Sequence, residues 1–374
     1  MTLNPLTELQ TYGQSIWLDF IRRGMLSSGE LQQMIEQDGL RGVTSNPAIF
    51  EKAISGTDDY QDAIQALAWE GNGPAQIYET LAIDDVRMAA DQFRPVYERT
   101  AGRDGFVSLE VSPHLAYDAS VTVFEAHRLW RSLARPNVLI KVPATVEGLE
   151  AIRQLISEGI NVNVTLLFGL SRYRQVVEAY IAGLEARARQ GKPINRIASV
   201  ASFFLSRIDV LVDPMLERVA ANGGPYANTA RVARGEVAIA SAKAAYRIYR
   251  EMFDSKRFQQ LTEQGARPQR LLWASTGTKN PHYSDVKYVD ALIGPETVNT
   301  LPLDILDAYR DHGRPAARLE QNVDQAHELL ERLPAVGVDL QRVAQQLEQE
   351  GVEAFIKPFD KLMAKLQERC ESPG

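Results

Sequence analysis

Short apolar runs rich in β-branched residues recur along the chain, and most are followed by a stretch with helical spacing of its apolar positions. Near-continuous apolar runs are typical of strands in a parallel sheet that is covered on both faces. The pattern predicts eight strands, at residues 15–19, 42–46, 106–112, 138–143, 161–168, 197–204, 270–276 and 298–303.

The segments between these runs have the pattern of amphipathic helices. Helices are predicted at residues 30–38, 121–133, 145–158 and 171–190, with a long helical region at 213–253. Two connections, residues 47–105 and 207–269, are much longer than the others and are mostly helical in pattern. We therefore expect both to be insertions rather than flexible linkers.

The tail from about residue 321 is also helical in pattern. It carries an apolar stripe at Val352, Phe355, Phe359, Leu362 and Leu366, and Pro358 is the expected site of a kink. A stripe of this kind fits two arrangements, a helix packed on the exterior of the protein or a cap over the face that carries the chemistry.

Eight strand–helix units with no break in composition favour a single (β/α)8 TIM barrel over tandem domains. The length of 374 residues alone suggests two to three domains at roughly 150 residues each. We expect one domain over residues 1–374, with 321–374 as a helical extension packed on it. The alternative is a doubly wound open sheet, but no glycine-rich dinucleotide turn follows the first predicted strand.

Composition and charge exclude several classes of protein. The net charge of −7 argues against nucleic-acid binding, and no apolar run is long enough to span a membrane. A single cysteine, Cys370, excludes intramolecular disulfides and multi-cysteine metal sites, and no metal or cofactor is expected. No secretory signal is evident in residues 1–12, so a cytoplasmic location is expected. The acidic pairs Asp58–Asp59 and Asp209/Asp213 are expected to be solvated rather than to bind a cation.

Polar residues stand where the predicted strands end, which is where barrels of this kind carry their chemistry. They are Asp19, Thr44, Ser45, Asn46, Glu110, Ser112, Lys141, Asn163, Thr165, Ser202, Ser275 and Thr276, with Arg207 and Lys279 just beyond two of the ends. The set contains carboxylates, cations and neutral hydrogen-bonding groups.

Lys141 is the most informative of these residues, because it interrupts the apolar run VLIKVP at residues 138–143. Burial disfavours a charged ammonium, and the neutral amine is the form that attacks a carbonyl to give a Schiff base. Alternatively, the lysine faces solvent or is a buried ion-pair partner. Asp19 and Glu110 are candidates for proton transfer beside it, or else helix-capping or ion-pairing carboxylates. Arg207 and Lys279 are candidate phosphate ligands, although exposed cations are common.

Three segments together resemble signatures of the transaldolases. They are residues 42–50 (GVTSNPAIF), 138–145 (VLIKVPAT) and 159–168 (GINVNVTLLF), in the order of the family, and the likeness runs from about Asp19 to the C-terminal helix. The resemblance implies a cofactor-free transfer of a dihydroxyacetone unit between sugar phosphates.

The resemblance also implies a role for each polar residue. Lys141 forms the Schiff base, Asp19 takes the proton of the C4 hydroxyl, and Glu110 is the acid/base that acts through a water held with Thr165. The residues that resemble substrate-binding positions are Thr44, Asn46, Asn163, Ser202, Arg207 and Lys279.

Lys279 departs from the pattern, because many family members have arginine at the second phosphate position and a lysine lacks its planar fork. The chain resembles a longer subgroup, and either a monomer or a homodimer is expected. Two alternatives to transaldolase activity remain: cleavage of fructose 6-phosphate without transfer, and a barrel that binds sugar phosphates without catalysis.

Overall fold

Eight parallel strands close into a barrel in which each strand pairs with its neighbours in sequence and β8 pairs with β1. The structure, a computed structural model, describes residues 4–371. The strands are β1 (Gln14–Leu18), β2 (Gly42–Val43), β3 (Phe106–Glu110), β4 (Val138–Pro143), β5 (Val162–Leu167), β6 (Ser199–Phe204), β7 (Arg270–Ala274) and β8 (Thr297–Leu301). All eight predicted strands and the (β/α)8 barrel are confirmed, and the doubly wound alternative is wrong.

Helices cover the outside of the barrel and fill both long connections. They are α1 (Pro5–Glu8), α2 (Arg23–Ser27), α3 (Glu30–Gln37), α4 (Pro47–Gly56), α5 (Gln61–Trp69), α6 (Pro74–Arg99), α7 (Ala119–Leu133), α8 (Val146–Glu158), α9 (Leu170–Arg189), α10 (Ser206–Asn222), α11 (Ala227–Ala233), α12 (Val237–Phe253), α13 (Lys256–Thr262), α14 (Lys287–Ala291), α15 (Leu303–His312), α16 (Val323–Arg332) and α17 (Leu340–Glu371). None of those in residues 4–371 is long and apolar enough to cross a membrane.

The helical region predicted at 213–253 differs from the structure, where three helices occupy it. Gly223, Gly224 and Gly235 all have positive φ and lie between α10, α11 and α12. Glycine adopts this left-handed conformation without the steric cost that a Cβ imposes, so the chain turns there instead of continuing one helix.

The turn that follows β4 shows how the sequence holds a functional strand in place. Thr145 is the N-cap of α8, and its hydroxyl accepts a hydrogen bond of 3.0 Å from the Gly148 N–H. Gly159 ends the helix in the left-handed conformation, with φ of 96°. Such caps satisfy backbone groups that the first and last turns leave free. The end of β4 is therefore anchored directly beyond the strand that carries Lys141.

The strand register sets which side chains share a level inside the barrel. Glu110 on β3 pairs with Lys141 on β4, and Lys141 pairs with Asn163 on β5. Because side chains alternate between the two faces of a strand, residues in register point to the same face. Three of the predicted functional residues consequently lie side by side around one level of the barrel.

A different charged cluster occupies the opposite end of the barrel. The Arg270 guanidinium lies 2.8 Å from Asp104 Oδ1 and donates a hydrogen bond of 2.9 Å to the Ser15 hydroxyl. Burial opposes ionisation of Asp104, but the charge and hydrogen bonds of Arg270 hold the pKa of that carboxyl below its ordinary value. Since catalytic groups of such barrels lie at the C-terminal ends of the strands, this cluster belongs to the stability of the fold.

The tail places α17 across the C-terminal mouth of the barrel. The helix packs against α4, α5, α6 and α10, and its Phe355 lies in the wall of a cavity at the strand ends. Four members of the predicted stripe, Val352, Phe355, Leu362 and Leu366, are buried, and Phe359 is partly buried. The helix continues through Pro358, and the kink expected there stays a prediction. Of the two arrangements that the stripe allowed, the structure has the cap.

Candidate active site

A cavity of about 160 Å³ opens at the C-terminal ends of the strands. Seven of the ten residues predicted for the site line it: Asp19, Thr44, Asn46, Lys141, Ser202, Arg207 and Lys279. The other three, Glu110, Asn163 and Thr165, are buried in neighbouring strands instead of lining the wall. The cavity is small and predominantly polar, which suits a compact hydroxylated substrate better than a large apolar one.

Lys141 is held at the inner end of this cavity with only 4% of its surface exposed. Its Nζ donates a hydrogen bond of 3.1 Å to the backbone carbonyl of Ser45 and lies 3.4 Å from Glu110 Oε2. The ring of Phe355 lies on a further side, with its centroid 5.5 Å from Nζ. The solvent-facing alternative for this lysine is therefore wrong, and its amine is fixed at the wall of a cavity.

Glu110 is the buried partner of Lys141. Burial raises the pKa of the Glu110 carboxyl to about 7, although the Lys141 ammonium opposes the rise. Neither carboxylate oxygen makes a hydrogen bond to any group in residues 4–371, since the 3.4 Å contact with Nζ lacks hydrogen-bond geometry. A carboxyl that titrates near neutrality can both give and take a proton, which is what acid–base catalysis requires.

A second carboxyl, Asp19, lies in the wall of the cavity and follows β1. The Thr44 hydroxyl donates a hydrogen bond of 2.7 Å to Asp19 Oδ1 and lies 2.8 Å from the Thr300 hydroxyl. Because Thr44 has one hydroxyl proton, Thr300 is the donor in the second contact. Burial raises the pKa of Asp19, while the Lys141 charge and the Thr44 hydrogen bond partly offset that rise. The Thr44 hydroxyl thus orients Asp19, and burial makes this carboxyl take up a proton more readily than an exposed aspartate does.

Neutral side chains form a connected network beside Lys141. The Ser202 hydroxyl donates to Asn163 Oδ1 at 2.7 Å, and Asn163 Nδ2 donates to the Ser108 hydroxyl at 3.0 Å. These contacts fix which end of the Asn163 amide is the donor. Asn46 has a structural role as well, because its side chain caps α4 by accepting a hydrogen bond of 3.0 Å from Ile49 N–H. The turn chemistry expected of Asn46 and its place in the cavity wall therefore occur together.

Thr165 lies at an irregular point of β5. The pairing of β5 with β6 shifts register between Val164 and Leu167, and Leu166 has φ of 55°. This left-handed conformation is costly for a bulky side chain, and strained residues of this kind cluster at functional sites. The Thr165 hydroxyl is buried and has no hydrogen-bond partner among the described residues. It is therefore free to bind a ligand or a water molecule.

Two cations border the cavity on the β6 and β7 sides. Arg207 is the second residue of α10, and Lys279 is exposed in the loop after β7. Within residues 4–371 the Arg207 guanidinium makes no hydrogen bond or ion pair, and its ring contact is with Phe204 at 5.9 Å. Burial lowers the pKa of Arg207, and the charge of Glu350 opposes that effect. An arginine without a carboxylate partner at a helix N-terminus is suited to bind an anion.

Several residues of the site were not predicted. Thr300 on β8 follows the same strand-end rule as the others, and Ser108 lies two positions before Glu110 on the same face of β3. Both are polar residues within predicted strands, and that is the signal in the sequence that identifies them. Phe355 lies in the cavity wall although it was predicted only as part of an apolar stripe. No local signal distinguishes it from the other members of that stripe.

Of the acidic pairs, Asp58 and Asp59 are exposed as expected, but the expectation for the other pair is wrong. Asp209 and Asp213 are buried and accept hydrogen bonds of 2.8 and 2.7 Å from tyrosine hydroxyls. A solvated pair was expected because both fall on a helix, yet the helix turns this face inward. The described part of the chain has no group of three His, Cys, Asp or Glu side chains arranged to hold a metal ion.

Comparison with known proteins agrees with this geometry. A family model described as transaldolase/fructose-6-phosphate aldolase matches residues 16–366. A protein of Trichodesmium erythraeum named transaldolase is 48% identical over 99% of both chains, and one of Nostoc sp. named transaldolase 2 is 48% identical over 98% of both. A transaldolase of Thiobacillus denitrificans is 47% identical over 97% of this chain and all of its own. The chain belongs to the transaldolase/fructose-6-phosphate aldolase family.

Proposed function

We propose that this protein is an enzyme that transfers a dihydroxyacetone unit from a ketose phosphate to an aldose phosphate, the transaldolase reaction. The donor is sedoheptulose 7-phosphate or fructose 6-phosphate, and the acceptor is glyceraldehyde 3-phosphate or erythrose 4-phosphate. The observation that carries the proposal is the environment of Lys141, a buried amine that borders the cavity and lies beside a carboxyl with a pKa of about 7.

The reaction begins when Lys141 Nζ attacks the ketose carbonyl and forms a carbinolamine. Glu110 takes the proton that Nζ must lose and returns it to the departing hydroxyl as the Schiff base forms. Glu110 acts through a water that Thr165 also binds. The support for this is that the Glu110 carboxylate and the Thr165 hydroxyl are buried polar groups without hydrogen-bond partners in the described residues, and a bridging water satisfies such groups.

Asp19 is the base for carbon–carbon cleavage. It takes the proton of the C4 hydroxyl while the bonding electrons move into the Schiff base, which leaves an enamine on Lys141 and frees the aldose phosphate. The raised pKa of Asp19 favours this proton uptake, and the Thr44 hydroxyl orients the carboxylate that receives the proton. The same carboxyl returns the proton when an acceptor aldehyde adds to the enamine.

The remaining predicted residues position the substrate. Asn46, Asn163 and Ser202 present amide and hydroxyl groups to the retained three-carbon unit, and Thr44 holds Asp19. Arg207 and Lys279 bind the phosphate at the far end of the cavity, with the N-terminus of α10 adding its backbone dipole. Anionic substrates are thus bound by two placed cations in a protein whose net charge is −7.

We further propose that residues 1–374 form one domain, that the enzyme is cytoplasmic and either a monomer or a homodimer, and that it binds neither nucleic acid nor membranes. The chemistry assigned to Lys141 needs no cofactor, since the lysine itself supplies the electron sink.

The proposal is tested by product analysis with fructose 6-phosphate, with and without erythrose 4-phosphate. We expect sedoheptulose 7-phosphate to form only when the acceptor is present, and we expect Lys141→Ala to abolish it. Lys243→Ala is a suitable control, because Lys243 is a second buried lysine that lies outside the cavity and bonds to the Arg318 carbonyl. Release of dihydroxyacetone without transfer would instead indicate an aldolase, and full turnover by Lys141→Ala would exclude the mechanism.

A further inference from the structure

The tail helix α17 brings one aromatic side chain to the reacting nitrogen. Phe355 is 4% exposed, lies in the wall of the cavity, and has its ring centroid 5.5 Å from Lys141 Nζ. Nζ also faces the Ser45 carbonyl and Glu110, so the ring covers a side that these polar groups leave free. The substrate carbon that bonds to Nζ must therefore lie next to this ring.

The position of Phe355 is fixed by its neighbours on the helix. One turn earlier, Gly351 lies so close to β5 that a Cβ there would be 3.1 Å from Leu166 Cδ2. One turn later, the Phe359 ring packs edge-on against Tyr78 at 5.4 Å. Residues three and four apart share a helix face, so these contacts hold the turn that carries Phe355 down on the barrel.

The covalent intermediate of the proposed reaction has two fates. In transfer, the enamine carbon attacks an acceptor aldehyde and the new ketose is released from Lys141 by water. In the competing fate, a proton adds to the enamine carbon to give an iminium ion, and water then adds to its central carbon. The resulting carbinolamine breaks its carbon–nitrogen bond, which returns the amine and frees dihydroxyacetone. No oxidant or reductant is involved, and the only co-reactant is water.

We infer that Phe355 is a specificity-determining residue that favours transfer over loss of dihydroxyacetone by shielding the enamine on Lys141 until an acceptor arrives. This inference rests on the proposed function. The ring excludes water from one side of the intermediate. It thereby hinders protonation of the enamine and addition of water before an acceptor aldehyde has bound. The family model that matches the chain is described by both outcomes, transaldolase and fructose-6-phosphate aldolase, so the same barrel supports either fate of the intermediate.

The partition is measured as the ratio of free dihydroxyacetone to sedoheptulose 7-phosphate, with fructose 6-phosphate as donor and erythrose 4-phosphate as acceptor. For Phe355→Ala we expect this ratio to rise by about tenfold or more, because removing the ring opens the intermediate to water. Phe355→Leu keeps apolar bulk on the helix and is expected to give a smaller rise. If the alanine variant does not fold, the ratio measured for Phe355→Leu tests the inference instead.

Phe258→Leu is the matched control, since Phe258 on α13 is also a buried phenylalanine but packs on Phe253 at 4.8 Å and lies outside the cavity wall. We expect its ratio to equal that of the wild type. The inference is overturned if folded Phe355 variants keep the wild-type ratio, or if Phe258→Leu changes the ratio as much as Phe355→Leu does. Borohydride trapping of wild-type Lys141 with fructose 6-phosphate separates the two proposals. An adduct with an unchanged ratio removes only the role of Phe355, whereas absence of an adduct removes the proposed function.

Discussion

Replacing Glu110 by glutamine should remove both a large part of the activity and its dependence on pH near neutrality. The carboxyl lies 3.4 Å from Lys141 Nζ, and burial raises its pKa from an ordinary 4.5 to about 7. The productive free enzyme needs an ionised Glu110 to accept the proton that Nζ loses. As pH falls through 7, the carboxyl becomes protonated and can no longer accept it, so kcat/KM falls on the acid side.

The size of the effect follows from the pKa. With a value of about 7, roughly one carboxyl in ten is ionised at pH 6, and kcat/KM should be about tenfold below its plateau. With an ordinary carboxyl pKa of about 4.5, the loss at pH 6 would be only a few per cent. Loss of a positioned acid/base typically costs about 10²–10⁴ in rate, so the plateau of Glu110→Gln should be lower by that factor.

The assay is the initial rate of transfer at low donor concentration from pH 5.5 to 8.5, for the wild type, Glu110→Gln and Asp209→Asn. Asp209 is a buried carboxyl outside the cavity whose pKa burial raises to about 6, so its variant should keep the acid limb. If Glu110→Gln shows the same fall in kcat/KM at the same pH as the wild type, the titration belongs to another group and Glu110 is not the base. A flat wild-type profile above pH 5.5 would equally contradict the assignment to Glu110.

Three further predictions concern binding, the fold and metal dependence. Arg207→Lys should raise KM for fructose 6-phosphate by about tenfold or more with a smaller change in kcat, because lysine keeps the charge but loses the bidentate fork. Steady-state kinetics measure both constants, and an unchanged KM would exclude Arg207 as a phosphate ligand. Gly148→Ala should lower the unfolding free energy by about 1–3 kcal/mol, since its Cβ would clash with the Pro143 carbonyl oxygen at the end of β4. Urea denaturation tests it against Gly56→Ala, where the Cβ meets open space and little loss is expected. Incubation with EDTA should leave turnover unchanged, and inhibition would contradict a lysine-based mechanism.

The barrel was predictable from the sequence because each buried strand is a distinct apolar run and most of the segments between the strands have apolar positions at helical spacing. The end of β2 was less predictable. Residues 42–46 were expected to be one strand, but the strand ends at Val43 because Asn46 caps α4 and Pro47 opens it. The break of the region at 213–253 was also missed. Its glycines at 223, 224 and 235 are visible in the sequence, but only the backbone shows that their φ values are positive.

The polar side chains of the site were predictable from strand ends, since the register of a parallel barrel brings those ends together. Their division into cavity wall and buried neighbours was not, because it depends on the exact alternation of each strand. The position of Phe355 could not be inferred locally at all. It depends on α17 crossing the barrel mouth, which results from contacts with α4, α5, α6 and α10 that are distant in sequence.

Borohydride reduction followed by peptide mapping shows directly whether Lys141 forms a covalent Schiff base with a ketose phosphate. With fructose 6-phosphate and borohydride, we expect one added dihydroxyacetone-derived or hexose-derived mass, located at Lys141, and loss of activity in proportion to labelling. Without sugar phosphate, borohydride should leave the protein active and unmodified. An unmodified Lys141, or an adduct at another lysine such as Lys243, would exclude Lys141 as the Schiff-base residue.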